Sequence, residues 1–269
     1  MPQMIAYYCM SKTLLIVFLQ LLHLKNVVVG TKFIGSYCYK NGHYKQNSTY
    51  QKNLNIVLSD LSSQASTTRF YNSSGGHSPR KVYGQFYCKG DVSHRPCQEC
   101  VQSAAQEIVN KCNNQKEASI VYEVCTLSYA NRSLNSPLET DPISWHWKSN
   151  ENDSSPTKLK QVLSTTMDRL IKRAAYNTTY HGYATGEAHL PPYSTLYCLV
   201  QCSPDILGSP CERCLRGCYR DLQTYCRGKI WAMVFRPNCQ MRYNTSLFRT
   251  PPATPPGLSS KQSSQSGEK

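Results

Sequence analysis

Five cysteines, Cys88, Cys97, Cys100, Cys112 and Cys125, recur as Cys202, Cys211, Cys214, Cys226 and Cys239, each displaced by 114 residues. Equal offsets at five positions mark an internal duplication. Flanking residues follow it: Tyr83 with Tyr197, Pro96 with Pro210, Tyr129 with Tyr243. Both copies read C-x8-C-x2-C. Thiolates at the C-x2-C spacing can converge on one zinc ion, exchange electrons with each other, or oxidise to bridges. A zinc site would have to unite two distant C-x2-C pairs, although each pair has other cysteines nearby within its own copy. Fourteen cysteines in 269 residues fit an oxidising compartment, which favours disulfides over metal.

Other chemistry has little to build on. The histidines, His23, His43, His77, His94, His146, His181 and His189, are scattered among only sixteen acids. Neither G-x-S-x-G nor H-E-x-x-H occurs. Catalysis needs a nucleophile with its base, paired carboxylates or a metal cluster. These residues read instead as solvated polar groups, and no enzyme activity, metal or cofactor is expected.

The N-terminus supplies the compartment. Lys12 precedes the apolar run Leu14 to Leu19, broken by Gln20, resumed at Leu21 and Leu22, and ending in Val28-Val29-Gly30. This is the shape of a secretory signal over residues 1–30, cut after Gly30. A membrane anchor needs about 20 unbroken apolar residues, and Gln20, His23 and Lys25 interrupt this run. No other run approaches that length, so the mature chain is expected to lack a membrane span and to be extracellular. Six Asn-X-Ser/Thr sequons, at Asn47, Asn72, Asn131, Asn152, Asn177 and Asn244, suit glycosylation on that route. Without Lys12 and Lys25, 28 basic residues face 16 acidic ones, a net of +12. The basic residues are dispersed, which argues against nucleic acid and for anionic surfaces.

The elements that position the cysteines follow the same repeat. Leu54, Val57, Leu58, Leu61 and Ala65 share one helical face. Leu159, Val162, Leu163, Met167, Leu170 and Ile171 do so after Pro156, with Ser154 or Ser155 as cap. Extended segments at residues 82–88 and 196–202 lead into helices at 97–112 and 211–225 that the C-x2-C opens. Strands are expected within 119–130 and 229–244, where Ile120, Tyr122, Val124 and Trp231, Met233, Phe235 alternate with their neighbours. The fold class is α+β with antiparallel sheet, in modules at 31–133 and 156–248. A polar linker at 134–155 contains Trp145 and Trp147, which suggest that part of it packs. The Pro- and Ser-rich tail at 249–269 has the composition of a disordered segment.

The duplicated C-x8-C-x2-C frame, with Cys112, Cys125 and their copies, resembles the plant cysteine-rich repeat secretory proteins, whose modules are called Gnk2-homologous or DUF26 domains. The resemblance spans about residues 31–248. It implies two helices on a five-stranded antiparallel sheet in each disulfide-stapled module. Carried over by position, it implies bridges Cys38–Cys112, Cys88–Cys97 and Cys100–Cys125 in copy one, and Cys202–Cys211 and Cys214–Cys239 in copy two. It further implies a non-catalytic recognition protein of the apoplast, in defence or cell-surface signalling, whose ligand is a carbohydrate or a cell-surface protein. The alternatives are the ectodomain of a cysteine-rich receptor-like kinase, in which a stretch like Thr250 to Lys269 precedes the membrane span, and an antifungal lectin-like protein.

Copy two departs from the pattern. No cysteine stands near Asn150, where the counterpart of Cys38 is expected, and Cys198 and Cys218 are extra. By the 114-residue offset they replace Gly84 and Ala104, two small residues on a strand and a helix, which suggests a Cys198–Cys218 bridge. Cys226 is then the odd thiol, either buried or free to join two chains. Antifungal relatives bind mannose through Asn after the first cysteine, Arg seven after the fifth and Glu five after the sixth. Here those places hold Tyr39, Ser119 and Ala130, and in copy two Met233 and Asn244, so that mode of mannose binding is not expected.

Overall fold

The structure, a computed structural model, describes residues 31–134, 144–147, 155–191 and 194–246. The expected signal segment and tail, Asn152 and Ser154 lie outside the described residues. The first module contains β1 (Phe33–Cys38), α1 (Thr49–Gln64), β2 (Phe70–Gly75), β3 (Val82–Cys88), α2 (His94–Lys111), β4 (Ala118–Tyr122) and β5 (Cys125–Ala130). The second contains β6 (Ser144–Trp147), α3 (Pro156–Tyr176), β7 (Tyr183–Leu190), β8 (Ser194–Cys202), α4 (Ser209–Tyr225), β9 (Trp231–Arg236) and β10 (Cys239–Asn244). Each forms a five-stranded antiparallel sheet, β1-β4-β5-β3-β2 and β6-β9-β10-β8-β7.

The helices start where local chemistry allows. Ser48 accepts a hydrogen bond from the Gln51 amide at 3.3 Å and caps α1. Pro156 opens α3, where its missing N–H costs nothing, while Ser155 holds the cap position without a side-chain bond to the helix. Leu54, Val57, Leu58 and Leu61 of α1 meet Ile120, Leu127 and Tyr129 of the sheet in the first core. Leu159, Leu163, Met167, Leu170 and Ile171 of α3 meet Val200, Val234 and Met241 in the second. The duplication extends to a hydrogen bond: Tyr129 donates its hydroxyl to Gln115 O at 2.9 Å, and Tyr243 donates to Lys229 O, 114 positions on, at 2.7 Å.

Five disulfides fasten these layers: Cys38–Cys112, Cys88–Cys97, Cys100–Cys125, Cys202–Cys211 and Cys214–Cys239, with Cα separations of 5.3 to 6.1 Å. The first encloses a 74-residue separation and contributes about 4 kcal/mol by restricting the unfolded chain.

The segment expected to link the modules supplies a strand to the second one. Residues 144–147, inside the expected linker, are the edge strand β6 of the second sheet. In that register Trp147 lies opposite Ala232 as Cys38 lies opposite Ala118, so the counterpart of Cys38 is Trp147, three residues before Asn150.

The outer sheet faces are also covered. Val121 of β4 packs with Met233 and Phe235 of β9, with Ile34 and Trp231 at the margin. The two modules therefore join sheet to sheet, helices outward. Polar bonds cross the seam: Gln85 Nε2 to Asn238 Oδ1 at 3.1 Å, and Gln201 Nε2 to Cys88 O at 2.8 Å. Arg242, nearly buried, lies 3.7 Å from Glu123, while Lys89, with 2% of its side chain exposed, lies 3.4 Å from Asp91. Burial, aided by the Arg242 charge, pushes the Lys89 ammonium below its usual range against the pull of Asp91. Gly90 permits this approach, since a Cβ there would fall 2.3 Å from Tyr183 Cγ.

Candidate functional site

The first place to test is the end of the first sheet, where the mannose-binding positions fall. Tyr39 and Ser119 share a side-chain hydrogen bond, and burial raises the Tyr39 phenol above its ordinary range. Ser119 and Ser128 are bonded at 2.7 Å. Ala130 is fully buried. This trio offers no charged donor or acceptor to a sugar hydroxyl.

One strand period further along stand Asn41, Glu117 and Arg132, which sequence reasoning missed. They carry the residue types of the antifungal triad with acid and base exchanged, and the period of two in a strand was the signal that could have found them. Asn41 Nδ2 donates to Glu117 Oε2 at 2.6 Å, Arg132 Nε donates to the same oxygen at 3.3 Å, and Arg132 Nη2 donates to Oε1. The Glu117 side chain is only 2% exposed. Its carboxylate is committed to its neighbours, so the cluster fastens strand ends. In copy two, Met233 is turned into the module seam, and Asn244 Oδ1 accepts from the Ser246 amide at 3.1 Å.

A second place is the groove along the module seam, a cleft of about 490 Å³. Module one contributes Thr68, Arg69 and His94; module two contributes His181, Tyr183 and Gln201. Arg69 Nη1 donates to Gly90 O at 2.8 Å, which anchors the guanidinium at the rim. The cleft thus carries three basic side chains, amide and hydroxyl groups and the rings of Phe70 and Tyr183. Such walls suit a polar or anionic ligand.

The cysteine assignments divide. Cys198 and Cys218 do not bridge; with Cys226 they are buried free thiols. Cys218 Sγ lies 3.5 Å from Cys239 Sγ. Cys239 pairs with Cys202 across the sheet, whereas Cys198 pairs with Tyr243, four residues or about 13 Å along the strand. Cys198 lies on the face covered by α3: a Cβ on its cross-strand partner Gly186 would meet Leu170 at 3.1 Å. The offset comparison identified two small positions correctly, but Cys198 faces α3 from the sheet, whereas Cys218 sits on α4 and faces Cys239. Cys226 is 1% exposed and packs in the second core, the buried one of its two expected fates. Burial pushes the Cys198 and Cys218 thiols up to about 12 and Cys226 up to about 11.

Of the sequons, Asn47, Asn72, Asn131 and Asn177 are exposed and Asn244 is half-buried. Among the described residues no group of three or more His, Cys, Asp or Glu could hold a metal ion. No helix there is long and apolar enough to cross a membrane.

Comparison with known proteins gives the same architecture. A family model for salt stress response/antifungal domains matches residues 37–132 and 146–246. Cysteine-rich repeat secretory protein 1 of Arabidopsis thaliana is 35% identical over 236 residues, covering 87% of this chain and 69% of that protein. Cysteine-rich receptor-like protein kinase 25 of the same plant is 32% identical over 257 residues, covering 91% of this chain and 38% of the kinase. The solved tandem DUF26 ectodomain of the A. thaliana cysteine-rich receptor-like protein PDLP8 superposes with a TM-score of 0.71 at 22% identity, covering 81% of this chain and all of that one. That of PDLP5 gives 0.66 at 23% identity, covering 80% and 99%.

Proposed function

Because this chain belongs to the salt stress response/antifungal family of cysteine-rich repeat secretory proteins, we propose that it is a secreted, non-catalytic recognition protein acting in plant defence or cell-surface signalling. The observation that carries this reading is the sheet-to-sheet seam. It makes one body of two modules, with a basic groove drawn from both. A rigid groove holding positioned donors binds without first ordering its own side chains.

A glycan array probed with the disulfide-intact chain is the test. Retention of one carbohydrate class, weakened by Arg69→Ala together with His181→Ala, is the expected result. Turnover of a retained glycan would overturn the non-catalytic reading. Binding that ignores both substitutions would remove the groove from it.

The second reading, the ectodomain of a receptor-like kinase, is favoured by the match to 38% of kinase 25. Sequencing the transcript beyond Lys269 decides it, since a membrane span and kinase domain would follow.

A further inference from the structure

The two helical layers differ in charge. In module one, α1 carries Lys52 against Asp60, and α2 carries Arg95 and Lys111 against Glu99 and Glu107, a net of zero. In module two, α3 carries Lys158, Lys160, Arg169, Lys172 and Arg173 against Asp168, and α4 carries Arg213, Arg216 and Arg220 against Glu212 and Asp221. Eight cations against three acids leave a net of +5 on that layer.

Spacing gathers this charge. With 3.6 residues per turn, Lys158, Arg169, Lys172, Arg173 and Tyr176 fall on the side of α3 opposite Leu163, Leu170 and Ala174. Arg213, Arg216 and Arg220 form a parallel stripe on α4, and all eight residues are exposed. Arg216 ties the stripes together, donating through Nη1 to Asp168 at 3.0 Å and through Nε to Glu212 at 2.8 Å. The remaining acid, Asp221, is taken up by nearly buried Arg236 at 2.7 Å. Every acid on the layer is thus engaged by an arginine.

We propose that this face, on a protein read above as a secreted recognition module, binds a linear acidic polysaccharide through its carboxylates. From Lys158 to Arg173 the α3 stripe runs about 22 Å, an extended track that matches a polymer with charge repeated along its length. Tyr176, 56% exposed at the end of the track, offers a ring on which a sugar face can stack, and its hydroxyl is held by Glu212 at 2.6 Å. A membrane is disfavoured because the one aliphatic side chain along the track, Val162, is partly buried against the second core and leaves little to insert. Ile56, the most exposed large apolar residue described, lies on α1 of the other module.

The test uses the full secreted chain and immobilised polygalacturonate, with the fully methyl-esterified polymer as the uncharged control on the same backbone. Expected are binding to the acid form that weakens as salt rises, and at least about a ten-fold loss on reversing three charges in Lys172→Glu, Arg213→Glu and Arg220→Glu. Reversing three exposed charges on module one, Lys45→Glu, Lys52→Glu and Arg95→Glu, is expected to leave affinity within about two-fold, which separates a local site from net charge. Equal loss in both triple variants, equal binding to the esterified polymer, or retention on anionic vesicles alone would each overturn the proposal. A hit elsewhere on the glycan array would still leave the recognition reading standing.

Discussion

Single residues in the second module carry most of what is individual to this protein. Its three free thiols lie in apolar surroundings that hold the proton on sulfur. In protein lacking residues 1–30, alkylation at about pH 8 is expected to modify none of them in the native state and all three in denaturant without reductant, since the thiolate is the reactive form. Finding only one reactive thiol after denaturation would restore a Cys198–Cys218 bridge. The same burial makes folding depend on pH. An acid whose folded pKa is raised keeps a proton that the unfolded chain releases. Its stabilisation is complete below the unfolded value near 9 and falls as pH rises from about 9 toward about 12. Urea unfolding at about pH 8 and pH 10 should show this decline, and Cys198→Ala with Cys218→Ala should flatten it.

Among elements, β1 and β6 are equivalent edge strands with unequal fastenings. Cys38 ties β1 to the end of α2, while Trp147 holds that register in β6 and leaves Cys226 unbridged. Trp147→Cys is expected to oxidise onto Cys226, lowering the free thiols in denaturant from the parent's three to two. The new loop is slightly longer than that of Cys38–Cys112, so a gain of about 4 kcal/mol before the loss of the tryptophan is expected. A count of four would show that the two backbones do not approach as their counterparts do.

At the scale of the whole molecule, the seam decides stability and shape together. Lys89 and Arg242 are charges that an isolated module would leave in water, and here they are nearly buried at the seam, each beside a more exposed carboxylate, Asp91 and Glu123. Gly90→Ala should cost about 1 to 3 kcal/mol by forcing its Cβ into the Tyr183 ring. Tyr183→Ala in the same chain should recover much of that loss. A double-mutant cycle by urea denaturation reads the coupling, and additive effects would mean that the modules do not meet at this point.

The sequence alone determined the duplication, both helices of each module, the inner strands and the class of compartment. These rest on local signals: a 114-residue offset, a 3.6-residue apolar period and a signal-peptide shape. Edge strands β2 and β7 escaped because residues such as Asn72, Ser74, Gly186 and Ala188 carry little apolar alternation. The alternation in β4 and β9 was visible, but not which face each stripe served. Ile120 and Tyr122 turn to their own helices, whereas Met233 and Phe235, one residue out of phase by the repeat, turn to the other module. A period of two reports that side chains alternate and says nothing of what covers each face. Only the tertiary structure could decide that, and with it why Cys198, on a strand beneath α3, and Cys218, on α4, stay apart although both occupy small positions of the repeat.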